Sequence, residues 1–165
     1  MFRFGAVAAA VLALFVVTSA YAQDASLSLQ ANQAFLAANR NKPGVVERPS
    51  GLQYRIIKNG FGKRPAVLDS VDVYYTGTLI NGKAFDKTEP GLPGHFVVNK
   101  LIPGWTEALT LMREGDHWEL VIPASLAYGT RAVGPIPANQ TLVFDLELVK
   151  VTPAPPKDEQ DQSQQ

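Results

Sequence analysis

The sequence predicts an α+β domain in which one short helix packs as a single layer on a mostly antiparallel β-sheet. Two observations lead to this prediction. Apolar and polar residues alternate in several separate segments, which is the pattern of half-buried strands, and the clearest example runs through residues 142–149. One short segment within the same region has the spacing of an amphipathic helix, and it follows Pro103-Gly104.

The first 22 residues are predicted to be a secretory signal peptide. Residues 1–3 are positively charged, residues 4–17 are almost purely apolar, and residues 19–22 end in small side chains with A-x-A spacing. The apolar run is shorter than the roughly 20 residues of a membrane-spanning helix, which argues against a retained anchor. We therefore expect cleavage after Ala22, no membrane anchor afterwards, and a periplasmic or secreted protein.

The composition excludes several classes of function. The chain has no cysteine, so it has no disulfide and no cysteine acceptor for a lipid anchor. Fifteen basic side chains balance fifteen acidic ones, which gives no electrostatic basis for binding nucleic acid. With two histidines, His95 and His117, that stand alone in strand-like segments, no metal site and no cofactor is predicted.

Residues 23–43 are predicted to form a helical leader. This segment is rich in alanine and glutamine, and Lys42-Pro43-Gly44 should end its helix. The helix could pack on the domain, pair with a second copy, or remain half-ordered. Packing or partial order is favoured, because three turns rarely hold a dimer unaided.

The following domain is predicted over residues 44–151. In its first strand Leu52, Tyr54 and Ile56 should face the core, while Gln53 and Arg55 face solvent. Residues 80–83 have hairpin-turn chemistry, and residues 124–139 form a long loop rich in proline and glycine. Strands are predicted at residues 52–56, 67–79, 95–98, 118–122 and 142–149.

The predicted helix buries one face and ends near Gly115. Trp105, Ala108, Leu109 and Met112 share that face. Beyond the last strand, residues 152–165 are proline-rich and then polar, so they are predicted to be a disordered tail.

A series of aromatic residues with little reactive chemistry around it predicts an apolar pocket. One carboxylate, Asp86, directly follows Phe85, and Tyr128 lies in the long loop, where functional residues are common. A carboxylate beside an inward-facing aromatic ring needs a partner if it is buried. Taken alone, the other aromatic residues could equally be ordinary core. The series comprises Tyr75, Phe85, Phe96, Trp105, Tyr128 and Phe144.

Five segments together resemble the FK506-binding-protein family of peptidyl-prolyl cis/trans isomerases over about residues 50–151. The leader and the loop at residues 131–137 are most similar to the secreted macrophage-infectivity-potentiator branch. The segments are Tyr75-Thr76-Gly77, Asn81 to Asp86, Leu101 to Trp105, Ala127-Tyr128-Gly129 and Leu142 to Asp145.

This resemblance implies about five antiparallel strands curled around one short helix, with the pocket between them. Trp105 would form its floor, and Tyr75, Phe85 and Phe144 its walls. Ile102, beside Leu101, would offer its backbone N–H to a substrate carbonyl, and Tyr128 would offer its hydroxyl. Asp86 would hold polar partners at the pocket mouth, and Ile136 would flank the entrance.

The resemblance also implies an activity and partners. The expected activity is isomerisation of X–Pro bonds in exported proteins, with proline-containing polypeptides as substrates and the macrolides rapamycin and FK506 as inhibitors. The alternative is a chaperone or peptide-binding module on the same fold. The chain departs from the family pattern at Gly94 and His95, where a further pocket aromatic is absent, which predicts a more open wall.

Overall fold

The computed structural model describes residues 24–155, which form one antiparallel sheet with two α-helices packed against it. The predicted signal peptide and the tail beyond residue 155 lie outside the described residues. The helices are α1 (Leu29–Asn39) and α2 (Pro103–Leu111), and the short 3-10 helices are Ala25–Leu27, Val98–Lys100 and Ala124–Leu126. The strands are β1 (Val45–Glu47), β2 (Gln53–Lys58), β3 (Ser70–Leu79), β4 (Ala84–Lys87), β5 (Gly94–Val97), β6 (His117–Ile122) and β7 (Leu142–Thr152).

The sheet runs in the order β1-β2-β6-β7-β3-β4, and β5 also pairs with β3. Every pairing is antiparallel. The predicted α+β class is confirmed, but the described part of the chain has seven strands rather than about five. The two unpredicted strands, β1 and β4, have three and four residues, and their side chains do not alternate between more and less buried positions.

Helix α2 packs into the sheet with the face that the sequence predicts. Trp105, Ala108, Leu109 and Met112 are all buried. Gly104 allows close contact, since a Cβ there would lie 2.4 Å from Ile122 Cγ2 on β6. The helix ends at Leu111, before the predicted Gly115. This close approach places the N-terminal end of α2 beside the centre of the sheet.

The first predicted strand forms, but its buried side chains differ from the prediction. Gln53 is fully buried and Ile56 is 43% exposed. The amide of Gln53 donates to the Leu36 carbonyl of α1 and accepts from Asn39. Because α1 covers this part of β2, a satisfied polar side chain occupies a position that periodicity assigns to solvent.

The last strand is longer than predicted. Its alternation is confirmed, with Leu142, Phe144, Leu146 and Leu148 buried. Thr152, assigned to the tail, is part of β7, and the Ala154 N–H donates to Asp69 Oδ1. No helix among residues 24–155 is long and apolar enough to span a membrane.

Candidate active site

A pocket of about 140 Å³ opens at the N-terminal end of α2. The structure brings together there every predicted site residue except Ile136, together with Phe96 of the predicted aromatic series. The lining comprises Tyr75, Phe85, Asp86, Phe96, Leu101, Ile102, Trp105, Tyr128 and Phe144.

Trp105 forms the floor of the pocket and is 4% exposed. Its indole meets three rings nearly at right angles, with centroid distances of 5.0 Å to Tyr75, 5.9 Å to Phe96 and 5.2 Å to Phe144. Phe85 packs edge-on against Phe144 at 5.6 Å. Edge-to-face contacts align the positive edge of one ring with the negative face of the next, so the cluster has a fixed shape.

Gly77 on β3 leaves the space that two of these rings occupy. A Cβ at this position would lie 2.6 Å from Phe85 Cζ and 2.8 Å from Phe144 Cε1. Both distances are well below van der Waals contact, so any side chain here would displace the walls. The glycine of the Tyr75-Thr76-Gly77 segment is therefore part of the pocket.

Phe96 supplies the wall that the sequence predicts to be open. Gly94 and Phe96 lie two residues apart on β5 and so share a face of the strand. A Cβ on Gly94 would lie 2.5 Å from Phe96 Cε2. The ring therefore folds over the glycine and approaches Tyr75 at 6.2 Å. Phe96 belongs to the predicted aromatic series but was given no role in the wall, although the glycine two positions before it was a usable signal.

Asp86 orients Tyr75 at the rim of the pocket. The Tyr75 hydroxyl donates to Asp86 Oδ2 at 2.6 Å, and Asp86 Oδ1 accepts from the Lys87 N–H at 2.9 Å. The pKa of Tyr75 is raised well above its usual value, first because burial penalises the phenolate and second because Asp86 accepts its hydrogen bond. The side chain therefore remains a neutral donor, and the exposed carboxylate holds its ring in place.

Besides the buried indole N–H of Trp105, two polar groups at the pocket have no acceptor within residues 24–155. The Ile102 N–H, at the residue before α2, donates no hydrogen bond to the described chain, and neither does the Tyr128 hydroxyl. Tyr128 is half-buried in the loop after β6. Because unsatisfied donors beside an apolar surface favour carbonyl oxygens, this site is suited to an amide-containing ligand.

Ile136 does not line the pocket. It is 5% exposed and belongs to the apolar core. Its backbone pairs with Val133 through two hydrogen bonds of 2.9 Å. The residue therefore attaches the tip of the loop to the core instead of flanking the entrance.

The two histidines, which are isolated from each other in the sequence, each have a carboxylate partner on a neighbouring strand. His95 Nδ1 lies 2.6 Å from Asp72 Oδ1, and His117 Nε2 lies 2.8 Å from Asp145 Oδ1. Both pairs join neighbouring strands outside the pocket lining. Within residues 24–155, no cluster of three or more histidine and acidic side chains could hold a metal ion.

A larger cavity, of about 680 Å³, lies at the opposite end of α2. The rings of Tyr54 and Trp118 stack along it at 4.5 Å, and Arg64 and Arg113 also line it. It does not contain the ring cluster or the two unpaired donors, so size alone does not identify the site.

Two family models match the chain in sequence. The model described as "FKBP-type peptidyl-prolyl cis-trans isomerase" matches residues 62–149. This segment contains every residue of the pocket lining. The chain belongs to the FKBP-type peptidyl-prolyl cis-trans isomerase family. A second model, "Domain amino terminal to FKBP-type peptidyl-prolyl isomerase", matches residues 7–56.

Named relatives of this FKBP-type chain include two bacterial proteins. The "Outer membrane protein MIP" of Legionella longbeachae is 56% identical over 123 residues, 73% of this chain and 53% of that protein. The "FKBP-type 22 kDa peptidyl-prolyl cis-trans isomerase" of Escherichia coli is 51% identical over 119 residues, 71% and 58% of the two chains. The chain thus spans about half the length of the curated relatives it matches.

Two solved structures support the FKBP-type fold. A peptidyl-prolyl cis-trans isomerase from Pseudomonas syringae is 38% identical with a TM-score of 0.71, over 76% of this chain and 93% of the other. FkpA from Escherichia coli is 42% identical with a TM-score of 0.74, over 76% and 60% of the two chains.

Proposed function

We propose that this protein is a peptidyl-prolyl cis/trans isomerase that acts on X–Pro bonds of exported proteins. The observation that carries the proposal is the combination of an aromatic pocket floored by Trp105 with two unpaired donors, the Ile102 N–H and the Tyr128 hydroxyl. The similarity to proteins named as isomerases supports it.

The reaction needs binding rather than reactive groups. Rotation about an X–Pro amide meets a barrier of about 18–20 kcal/mol, because resonance gives the C–N bond partial double-bond character. The twisted transition state has lost that resonance, so its carbonyl is less polar than in the planar amide. An apolar pocket therefore costs the transition state less desolvation than it costs the ground state.

Each pocket residue then has a specific role. Trp105 and the surrounding rings receive the proline ring and exclude water. The Ile102 N–H and the Tyr128 hydroxyl bind flanking carbonyls while the amide twists. Asp86 holds Tyr75 in place through the 2.6 Å hydrogen bond and transfers no proton.

The proposed location and partners follow from the sequence. Residues 1–22 have the features of a cleaved signal peptide, which would place the protein in the periplasm or outside the cell. Uncatalysed prolyl isomerisation takes tens to hundreds of seconds, so exported chains that fold there would benefit from catalysis. Proline-containing polypeptides are the proposed substrates, and rapamycin and FK506 the proposed inhibitors.

A proline-limited refolding assay tests the activity. Micromolar protein should accelerate the slow refolding phase, rapamycin should abolish the acceleration, and Tyr128→Phe should reduce it. Ser125→Ala, an exposed change just before the same loop segment, serves as the control and should behave like the unmodified protein. No acceleration by the unmodified protein would reject the proposal.

A second candidate function is polypeptide holding, as in a chaperone. The observation that favours it is an exposed apolar surface beside the 680 Å³ cavity, where Phe61 is 92% exposed and Ile56 43%. Suppression of client aggregation tests it. If Phe61→Ser weakens holding but not isomerisation, and Tyr128→Phe does the reverse, the two functions are separable.

A further inference from the structure

The loop that carries Tyr128 is closed at its base by one backbone contact. The Asn139 N–H donates to the Gly129 carbonyl at 2.8 Å. Asn139 has a φ of 61°, in the left-handed region, so the chain turns sharply just before Gln140 and Thr141. The position of Tyr128 therefore depends on where this loop base lies.

The loop base is held by a side chain from the leader. Asn32 of α1 is 3% exposed, and its Oδ1 accepts the Thr141 N–H at 2.7 Å. Its Nδ2 donates to Gln140 Oε1 at 3.2 Å. Gln140 Nε2 in turn donates to the Leu27 carbonyl at 3.0 Å, beside the start of α1.

This attachment uses hydrogen bonds where most helices use apolar contacts. The buried residues of α1 are Asn32 and Asn39, and no apolar side chain of the helix is fully buried. Buried amides require partners at fixed distances and angles, so they set the position of a helix more narrowly than apolar packing does. A conformational change at Asn32 would consequently be transmitted to Gln140 and Thr141.

We propose that Asn32 is a positioning residue for the pocket: it braces the base of the loop and so places the Tyr128 hydroxyl. This inference rests on the proposed isomerase function for its kinetic consequence. The leader helix then contributes to the geometry of the catalytic site and is more than a spacer.

Asn39 provides a matched control on the same helix. It is 2% exposed, and its Nδ2 donates to Gln53 Oε1 at 2.9 Å. Gln53 lies on β2, outside the pocket and outside the loop. Loss of Asn32 removes two hydrogen bonds to the loop base, and loss of Asn39 removes one to β2, so of the two asparagines only Asn32 contacts the loop base.

The experiment compares Asn32→Ala, Asn39→Ala and the exposed change Gln33→Ala in the full chain. Amide hydrogen exchange over residues 128–141 and the kcat/KM for prolyl isomerisation are measured at a temperature where all variants are folded. Asn32→Ala should speed exchange in the loop and lower kcat/KM about tenfold, as expected for a displaced binding group. Asn39→Ala should also lower Tm, but it should leave both loop exchange and kcat/KM unchanged.

Gln140→Ala removes the acceptor of Asn32 Nδ2 but keeps the bond between Asn32 Oδ1 and Thr141, so it should speed loop exchange less than Asn32→Ala does. This variant makes the test usable even if Asn32→Ala folds poorly. Equal effects of Asn32→Ala and Asn39→Ala on loop exchange would overturn the proposal. If the unmodified protein is inactive, the proposed isomerase function is rejected. Hydrogen exchange does not depend on activity, so the comparison of exchange rates still decides whether Asn32 holds the loop base.

Discussion

The Tyr75 hydroxyl and Asp86 Oδ2 lie 2.6 Å apart and form a hydrogen bond across the rim of the aromatic pocket. The two residues lie on neighbouring strands, β3 and β4. The bond couples an exposed carboxylate to a ring that packs edge-on against Trp105. A surface residue thereby fixes the orientation of a pocket wall.

Removal of this bond should weaken catalysis without unfolding the protein. Tyr75→Phe keeps the ring and loses the donor, and Asp86→Asn weakens the acceptor. A hydrogen bond of this kind contributes about 0.5–1.5 kcal/mol, so kcat/KM should fall by roughly two- to tenfold. Asp145→Asn, at an exposed carboxylate paired with His117, is the control and should leave kcat/KM unchanged in the same refolding assay. A normal rate in both pocket variants would contradict the role given to the bond.

Macrolide binding should be reported by the fluorescence of Trp105. The chain contains two tryptophans, and Trp118 lies beside the larger cavity at the other end of α2. In Trp118→Phe the remaining signal comes from the pocket floor, and rapamycin should change it in a saturable way. Trp105→Phe should lose the response. A response carried by Trp118 instead would place the ligand in the other cavity.

Gly94→Ala should disturb the wall formed by Phe96. The added methyl would lie 2.5 Å from the ring, so the ring must move or the strand must shift. Overpacking of this kind costs about 1–3 kcal/mol of stability. If a similar amount of free energy is lost from binding, about 1.4 kcal/mol corresponds to a tenfold change in Kd, so we expect the rapamycin Kd to rise by about tenfold. Calorimetric titration gives the Kd, and Val97→Ala, an exposed change on the same strand, should leave it unaltered.

Glu114 should make stability depend on pH in the acidic range. Its pKa is lowered, first because its carboxylate accepts the Val151 N–H at 2.6 Å and further because it accepts from Lys63. Because the pKa is lower in the folded state, the ionised carboxylate stabilises the fold at any pH above the unfolded-state pKa of about 4.3. This stabilisation is lost as the pH falls through the folded-state pKa.

Urea unfolding of Glu114→Gln tests that dependence. The variant should be about 1 kcal/mol less stable than the unmodified protein at pH 7. The expected loss is small because solvent screens the charge of this accessible carboxylate. The difference should shrink toward zero near pH 2. Glu89→Gln, at an exposed carboxylate, should show no such difference, and a gap that persists at low pH would contradict the assignment.

Periodicity predicted the parts of the fold that bury apolar side chains in a regular pattern. The alternation along β7 and the buried face of α2 both appear in the structure, because side chains two apart on a strand, or three and four apart on a helix, share one face. Periodicity could not detect β1 and β4, which are short and do not alternate, or the burial of Gln53, which depends on an amide from α1.

For the candidate pocket, too, some features follow from the sequence and others only from the tertiary structure. The sequence by itself determined the identity of most of its residues, since the aromatic series and the carboxylate after Phe85 are visible without coordinates and resemble one family. Only the tertiary structure decided how they meet. It placed Phe96 over Gly94, moved Ile136 into the core, and joined Asn32 to Thr141 across a separation of 109 residues. Contacts between distant segments depend on the packing of whole elements, and local sequence patterns carry no information about that packing.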